Sequence, residues 1–383
     1  MIHRKLPVLA AALLIVVAGC SSSSATAKPS TAASGGAGCI VGVSWNNFQQ
    51  PRWAAHDEPG IQKTVEAGGG QYIRADANLN SEQQLTDIDT MIAKGAKVLI
   101  ILAQDGKAIL PALKKAATAG IPVIAYDRLI EDAGILYLSF NNIAVGEAQA
   151  AAILNKVPKG NYVLIKGDPG DANAKTFLPQ GWDKAGLAAK VASGDIKLLN
   201  GPEGTFTDGW KTEKAQANME AIIDKAVADG NKIDAILAEN DSTALGVVGA
   251  LTAKSYGFPP LSGQDGDPAN LNNVALGKQY VDVWKNANEL GKAAGGAALQ
   301  LCNGAKIADL KLPAGLLDPA VAPAAGPSPQ DFVSPAKVTM KSYILTVTPL
   351  LAENLQKAVD GGQITKADLC KGVDPAKAPP ACK

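Results

Sequence analysis

From residue 39 onward the chain alternates between short apolar runs and longer segments with apolar residues at helical spacing. The short runs have the length and composition of buried strands, and the longer segments are typical of amphipathic helices. Such alternation predicts βαβ units, a parallel sheet and right-handed crossovers. In the first half the predicted strands are 40–45, 72–75, 97–102, 122–126 and 136–140, and the predicted helices are 52–67, 81–94 and 108–119.

The alternation restarts after Phe140 with a second set of similar size. Two such sets predict two doubly wound α/β lobes with a cleft between them. The predicted strands of the second set are 162–166, 196–199, 235–238, 260–263 and 280–284, and its helices are 144–155, 173–193, 211–229, 242–253, a short one near Leu271, and 288–301.

The last part of the chain breaks this rhythm. Residues 312–335 are rich in Pro and Ala, have no period, and predict a long loop for which we have no functional account. A strand at 341–346 and a helix at 350–359 follow, which indicates a further crossing between the lobes. The expected division is 39–141 with 285–340 for the N-terminal lobe, 142–284 with 341–369 for the C-terminal lobe, and 370–383 for a tail.

The N-terminus predicts export. A basic start and an apolar run at 6–17 have the order of a secretory signal peptide, residues 1–19, and the run is short for a membrane span. The following V-A-G-C, which ends at Cys20, resembles a lipoprotein lipobox, which implies cleavage before Cys20 and lipid on its sulfur. Residues 20–38 are rich in Ser, Ala and Gly and predict a flexible tether. We therefore expect an exported protein that a lipid anchors to the outer face of the cell membrane.

The other cysteines, Cys39, Cys302, Cys370 and Cys382, are an even set in an exported chain, which indicates disulfides. Such a set allows three pairings, and the sequence alone does not select one. We favour Cys370–Cys382 together with Cys39–Cys302, because the first pair closes a short tail that contains proline.

Composition argues against several classes of function. Charged residues make up 19% of the chain and the formal net charge is zero, so no field that attracts nucleic acid is expected. Of the two histidines, His3 lies in the predicted signal peptide, so imidazole catalysis or a zinc site would depend on His56 alone. No G-x-G-x-x-G follows a strand, and H-E-x-x-H, paired C-x-x-C and nucleophile-elbow motifs are absent from the sequence. We expect a protein that is not an enzyme and that needs no metal or cofactor.

Polar and aromatic residues follow the predicted strands, where ligands bind in open parallel sheets. Asp127 and Arg128 come directly after the strand 122–126 and offer acceptors beside a fork of donors, although a single pair could equally be a surface ion pair in a turn. Similar residues follow other strands: Asn46, Asn47, Arg52 and Trp53; Gln104 and Asp105; Asp168, Asp171 and Asn173; Asp208 and Trp210; Glu239, Asn240 and Asp241; Gln264 and Asp265; and Lys285.

This mixture of residues suits a small polyhydroxylated ligand. Sugar hydroxyls donate and accept hydrogen bonds, and the apolar C–H faces of a sugar ring pack on aromatic surfaces such as Trp53 and Trp210. Any single Asp or Asn is more simply explained as a helix cap, and we expect Asp241 to be the cap of the helix that begins at Ser242. Repetition of the pattern at successive strand ends favours a binding site.

The motifs at these strand ends resemble those of type I periplasmic sugar-binding proteins of ABC importers, and among them the binders of D-xylose. The resemblance covers about 40 to 369 and rests on P-R-W at 51–53, A-Y-D-R-L-I at 125–130, D-A-N-A-K at 171–175, D-G-W at 208–210, E-N-D at 239–241, S-G-Q-D at 262–265 and V-W-K at 283–285. It implies two lobes joined by three crossings, and a monomer that captures a monosaccharide in the cleft for an ABC permease. By the resemblance and the strand-end pattern, the expected ligand-binding residues are Arg52, Trp53, Asp127, Arg128, Asp171, Asn173, Trp210, Asn240, Asp265 and Lys285.

Departures from the family pattern leave the ligand open. The stretch S-W-N-N-F-Q-Q at 44–50 replaces an acidic, Arg-containing one, Trp284 stands where Tyr or Phe is usual, and Asn286 replaces a common Pro. D-xylose is the favoured sugar, with glucose, arabinose or several aldoses as alternatives, and a sensor that presents sugar to a membrane receptor would have the same sequence features. A sugar-responsive repressor would need a helix-turn-helix where this chain has the predicted signal peptide.

Overall fold

A computed structural model describes residues 38–312, 317–318 and 328–383. The predicted signal peptide, the lipidation of Cys20, most of the predicted tether and much of the loop at 312–335 lie outside the described residues. Among the helices that the structure describes, none combines the length and the apolar character that crossing a membrane requires.

Strands and helices alternate as the hydrophobic pattern predicts, and most of their bounds agree closely with the prediction. The strands are β1 (Ile40–Trp45), β2 (Gln71–Asp76), β3 (Val98–Ile101), β4 (Val123–Tyr126), β5 (Leu136–Phe140), β6 (Gly160–Ile165), β7 (Ile196–Leu198), β8 (Ala235–Ala238), β9 (Ser262–Gln264), β10 (Val281–Trp284), β11 (Gln330–Val333), β12 (Thr339–Leu345) and β13 (Thr348–Leu350). The helices are α1 (Glu58–Ala67), α2 (Ser81–Ala93), α3 (Leu110–Thr118), α4 (Asn142–Lys156), α5 (Leu178–Lys184), α6 (Leu187–Ala192), α7 (Thr212–Ala228), α8 (Asp241–Ala253), α9 (Pro268–Ala275), α10 (Ala287–Cys302), α11 (Gln356–Asp360) and α12 (Lys366–Leu369).

The strands form two layers. Within the described residues, the first layer is a seven-stranded sheet in the order β11-β12-β5-β4-β3-β1-β2, and all its pairings are parallel except that of β11 with β12. The second layer contains two three-stranded sheets, β7-β6-β8 and β9-β10-β13. A parallel bridge between Ile236 and Leu261 joins the two sheets. We call the seven-stranded sheet with its helices the first lobe, and the other layer with its helices the second lobe.

Each lobe has its own apolar core because its central strands are covered by helices on both faces. In β3, Val98 and Ile100 pack with the residues of α1 and α10, whereas Leu99 and Ile101 pack with those of α2 and α3. The strands of the second lobe divide in the same way between two clusters of buried side chains. Burial on both faces explains why these strands are continuous apolar runs in the sequence.

The described chain passes between the lobes at three places: from β5 to α4, from β10 to α10, and from β12 to β13. The last crossing corrects the domain boundary that we expected at residues 340 and 341, because β12 pairs in parallel with β5 of the first lobe. The chain therefore enters the second lobe only after Leu345.

Two other expectations for this region were wrong. The helix predicted at 350–359 is confined to α11, because Thr348–Leu350 pairs with β10 as strand β13. The loop predicted at 312–335 contains strand β11, which pairs antiparallel with β12 at the edge of the first-lobe sheet.

The described cysteines are bonded in the favoured pairing. Cys39–Cys302 joins the start of β1 to the end of α10 in the first lobe. Cys370–Cys382 closes the C-terminal tail, where Leu369 and Ala381 pack with residues of α9 in a small apolar cluster. The tail is therefore attached to the second lobe.

Candidate functional site

A small cavity of about 20 Å³ lies between the lobes, at the carboxyl ends of the parallel strands. The structure places all of the predicted ligand-binding residues in its wall. The lining consists of Arg52, Trp53, Asp127 and Arg128 from the first lobe, Asp171, Asn173, Trp210, Asn240 and Asp265 from the second lobe, Lys285 at the crossing from β10 to α10, and two residues missing from the prediction, Gln50 and Gln264.

Two π-helical turns, Trp53–Asp57 before α1 and Asn173–Phe177 before α5, position the helix-borne residues of the site. The wider π turn brings together residues five apart in the chain, where a regular helix would bring together residues four apart. In the first turn Arg52 therefore meets Asp57, with Nη2 at 2.9 Å from Oδ1 and Nε at 3.1 Å from Oδ2. Sequence analysis missed Asp57 because helical spacing does not predict this pair.

The Arg52 guanidinium is buried among three carboxylates, those of Asp57, Asp127 and Asp265. Its Nη1 lies 2.7 Å from Asp265 Oδ1, so this ion pair crosses from the first lobe to the second. Burial opposes the charged form, but the carboxylates outweigh it and raise the pKa of Arg52 well above its usual value. The Tyr126 hydroxyl donates to Asp57 Oδ1 over 2.6 Å and ties this network to the end of β4.

Asp127 is an ionised acceptor in the cavity wall. Burial by itself would raise its pKa, but the attraction of Lys285, Arg52 and Arg128 lowers the pKa below its usual value. Its Oδ2 lies 3.3 Å from Arg52 Nη2 and 3.5 Å from Lys285 Nζ, yet has no partner in hydrogen-bonding geometry among the described residues. The carboxylate can therefore accept a hydrogen bond from a ligand.

A second ion pair crosses the cleft between Arg128 Nε and Asp171 Oδ2, which lie 3.0 Å apart. Asp171 Oδ1 also accepts from the Asn173 backbone N–H over 2.9 Å, which fixes the start of the second π turn. Burial raises the pKa of Asp171, and Arg128 partly offsets this effect. With Arg52–Asp265, this pair shows that the lobes are in a closed arrangement.

Three of the lining residues have a strained backbone conformation with positive φ. Among the non-glycine residues that the structure describes, Asp127, Trp210 and Asp265 have φ angles of 59°, 57° and 109°. Such conformations cost about 1–3 kcal/mol each and concentrate at functional sites. The turn at Gly209 and Trp210 lays the indole against Gly167, where a Cβ would overlap the ring.

The second-lobe side of the cavity carries buried polar atoms that lack a hydrogen-bond partner among the described residues. They are Asn173 Oδ1, Gln264 Oε1 and Trp210 Nε1, two acceptors and a donor. An unsatisfied buried group of this kind costs about 1–3 kcal/mol. A ligand that both donates and accepts hydrogen bonds would remove this cost.

The expectation for Asp241 was wrong. Asn240 is the cap of α8, since its side chain accepts from the Thr243 N–H, while Asp241 is the first helical residue. The buried Asp241 Oδ2 instead accepts from the N–H groups of Gly266 and Asp267, at 3.0 and 2.7 Å. These bonds hold the loop that follows Asp265 in the cavity wall.

With this geometry in place, residues 41–306 match the family model described as periplasmic binding protein domain. The match covers more than half of the chain. The chain belongs to this family. Its members are binding proteins and not enzymes, and their type I periplasmic binding protein fold confirms the two-lobed α/β architecture predicted from the sequence.

Individual relatives extend the likeness over most of the chain. The chain is 38% identical over 281 residues to the D-xylose-binding periplasmic protein of Escherichia coli (strain K12), which covers 73% of this chain and 82% of that protein. It is 32% identical over 282 residues to the multiple sugar-binding periplasmic receptor ChvE of Rhizobium radiobacter, which covers 69% and 77%. A crystal structure of an ABC transporter solute binding protein from Clostridium phytofermentans with bound β-D-glucose has a TM-score of 0.74 and 32% identity, and covers 86% of this chain and 99% of that one.

Proposed function

We propose that this protein is the extracytoplasmic sugar-binding component of an ABC importer, and that it captures a monosaccharide, with D-xylose favoured, between its lobes for delivery to a permease. The observation that carries this proposal is the set of hydrogen-bonding groups in the cavity wall. The unpartnered Asn173 Oδ1 and Gln264 Oε1 are acceptors, Asp127 Oδ2 is an acceptor that has ion pairs but no hydrogen-bond partner among the described residues, and the unpartnered Trp210 N–H is a donor. A sugar ring carries hydroxyls that serve both kinds of group in several directions.

Aromatic and cationic residues complete the proposed sugar site. Trp53 lies under the Arg52 guanidinium, which is 4.2 Å from the ring centroid, and its indole N–H donates to Gln50 Oε1. Trp53 and Trp210 line the cavity from opposite lobes and offer apolar surfaces for the C–H faces of the ring. Arg52 and Lys285 supply charge-assisted donors, which form stronger hydrogen bonds than neutral ones.

Capture proceeds by closure of the lobes. In our proposal the sugar binds to one open lobe, the second lobe rotates about the three crossings, and the pairs Arg52–Asp265 and Arg128–Asp171 form as water leaves the cleft. Exclusion of water strengthens each electrostatic contact in the cavity. The closed form is then the one that the permease recognises.

We favour D-xylose because relatives from Escherichia coli and Haemophilus influenzae that carry that ligand's name are 38% and 36% identical. Glucose is the second candidate, and it is the ligand bound in the Clostridium phytofermentans structure. We propose that Gln50 determines the preference between D-xylose and D-glucose, because it belongs to the divergent stretch 44–50 and lines the cavity. Trp284, another departure, packs behind the cavity against Gly266 and Gly361.

Isothermal titration calorimetry with D-xylose, D-glucose, L-arabinose and D-ribose tests the proposal. We expect xylose to bind tightest and glucose to bind more weakly. Binding of none of these sugars would contradict the sugar site, and tighter binding of glucose would contradict the assignment of xylose. Stimulation of the ATPase activity of a reconstituted permease by the sugar-loaded protein separates the importer from a sensor for a membrane receptor.

We also propose that the protein is lipid-anchored through Cys20 after removal of residues 1–19. Mass spectrometry of the mature N-terminus should find the lipid on Cys20. Cys20→Ser should release the protein from the membrane fraction, and retention of that variant at the membrane would contradict the anchor.

A further inference from the structure

Residues 312–335, to which the sequence assigns no function, are described only in part. Of these, residues 317 and 318 lie at the crossings between the lobes. Leu317 forms an antiparallel bridge with Leu345, the last residue of β12. The side chain of Asn141, which caps α4 at the first crossing, donates to Asp318 Oδ2 over 3.0 Å. Further along the same segment, strand β11 carries Phe332, which is half-buried.

Phe332 joins the lobes through a row of three aromatic rings. Its ring centroid lies 5.2 Å from that of Tyr137 in β5 and 6.1 Å from that of Phe177. Phe177 belongs to the second π turn, which leads into α5 of the second lobe, yet it is buried within the apolar cluster of the first-lobe sheet. The contact between Phe332 and Phe177 therefore crosses from one lobe to the other, outside the sugar cavity.

The same π turn connects this contact to the ligand site. It begins with Asn173 in the cavity wall and ends with Phe177 in the aromatic row. A hydrogen bond from the Asn173 N–H to Asp171 Oδ1 holds the start of the turn. One five-residue turn therefore links the aromatic contact with Phe332 to the cavity wall.

We propose that Phe332 is a positioning residue for sugar capture, which acts through Phe177 to favour the closed arrangement of the lobes. Opening of the cleft separates Phe177 from Phe332 and exposes aromatic surface, which is unfavourable in water. An apolar pocket of about 180 Å³, lined by residues that include Tyr137, Ile143, Phe177 and Phe332, lies beside the contact. The inference rests on the proposed sugar capture for its effect on affinity, but the effect on closure does not depend on any sugar.

Affinity and specificity distinguish this role from a direct contact with the ligand. When binding requires a closed state, the apparent Kd is the intrinsic Kd divided by the closed fraction. Phe332→Ala should therefore raise the Kd for D-xylose and D-glucose by the same factor, about 5- to 20-fold if the aromatic contact and its buried area are lost. Substitutions in the cavity wall should change the ratio between the two sugars.

Small-angle X-ray scattering of the ligand-free protein and calorimetry with D-xylose and D-glucose test the proposal together. Phe332→Ala should increase the radius of gyration and lower the affinity for both sugars by the same factor. Phe332→Leu should have an intermediate effect on both quantities. Val333→Ala is the matched control, because Val333 is the next residue of β11 and is 58% exposed. We expect Val333→Ala to leave both measurements unchanged.

The double variant Phe177→Ala/Phe332→Ala should weaken binding by less than the product of the single effects, because both substitutions remove the same contact. Unchanged scattering and unchanged affinity in folded Phe332→Ala would overturn the proposal, and so would a loss confined to one sugar. If the unsubstituted protein binds neither sugar, the proposed function fails, while the scattering comparison still decides the effect of Phe332 on closure.

Discussion

The two halves of the cavity differ in how their polar groups are satisfied. In the first lobe, Arg52, Asp57 and Tyr126 bond to one another in a buried charged network that extends to Asp127. In the second lobe, Asn173 and Trp210 present neutral groups without partners among the described residues. Most charged groups of the first half are paired with one another, whereas the second half leaves neutral groups that we propose a ligand completes.

The difference follows from the cost of burial. An unpaired buried charge costs several kcal/mol, so a charged wall is stable only if its ions are paired with one another. An unpaired amide or indole costs only about 1–3 kcal/mol, which a folded protein can tolerate and a ligand can recover. We therefore expect substitutions in the first half to affect both folding and binding, and substitutions in the second half to affect mainly binding.

The largest effect is expected for Arg52→Gln. This variant leaves the carboxylates of Asp57, Asp127 and Asp265 buried with one cation fewer, and breaking a buried pair costs about 3–5 kcal/mol. Urea unfolding should show a loss of that size, and calorimetry should show no measurable sugar binding.

Arg74→Gln is the control for this variant, since the Arg74–Glu58 pair has an Arg74 side chain that is 51% exposed. Exposed pairs contribute about 0–1 kcal/mol, so its stability should hardly change. Equal losses for the two variants would contradict the view that the first half is held by buried charge.

A smaller effect on free energy is expected for Asn173→Ala, and it should fall on binding alone. The substitution removes an acceptor that has no partner among the described residues, so the folded protein loses little. Sugar affinity should fall about 5- to 100-fold, the equivalent of a lost hydrogen bond to a buried group. Calorimetry and thermal unfolding check the two parts, and a destabilisation as large as that of Arg52→Gln would remove the contrast between the halves.

The last prediction concerns pH and compares two buried acids: Asp57, which pairs with Arg52, and Asp282, which has no ion pair among the described residues. Burial raises the pKa of Asp57 from 3.8 to about 6 although Arg52 opposes the shift, and burial raises the pKa of Asp282, beside Asp241, to about 7. A carboxyl whose pKa is higher in the folded state binds its proton more tightly there. Its contribution to stability is full below pH 3.8 and is lost as the pH rises through the folded pKa, so it falls between about pH 4 and 7.

Asp282→Asn should therefore flatten the decline of stability between pH 5 and 8, measured by urea unfolding at several pH values. His56 acts in the opposite direction, since burial lowers its pKa from 6.5, so the informative quantity is the difference between the variant and the unsubstituted protein. Asp331→Asn serves as control because its side chain is 63% exposed. Parallel pH profiles for Asp282→Asn and the unsubstituted protein would contradict the raised pKa.

The sequence predicted much of the site because strand ends and ligand-binding positions coincide in parallel sheets. Residues such as Asp127 and Trp210 follow recognisable strands, and the structure places them in one cavity. Asp57 was missed because its pairing with Arg52 depends on a π turn, which has no clear sequence signal. Gln264 was missed as a residue of the cavity wall because only burial without a partner distinguishes it from its neighbours.

The sequence by itself determined the order of strands and helices, the two-lobed α/β class and the polar strand ends, because hydrophobic periodicity and strand termination are local properties of the chain. Only the tertiary structure decided that β12 belongs to the first lobe, that Arg52 meets Asp265 across 213 residues of sequence, and that Phe332 packs on Phe177. These features depend on contacts between distant segments, and the packing of the lobes establishes them. The difference between the two halves of the cavity likewise becomes visible only when the hydrogen-bond and ion-pair partners of the buried groups are known.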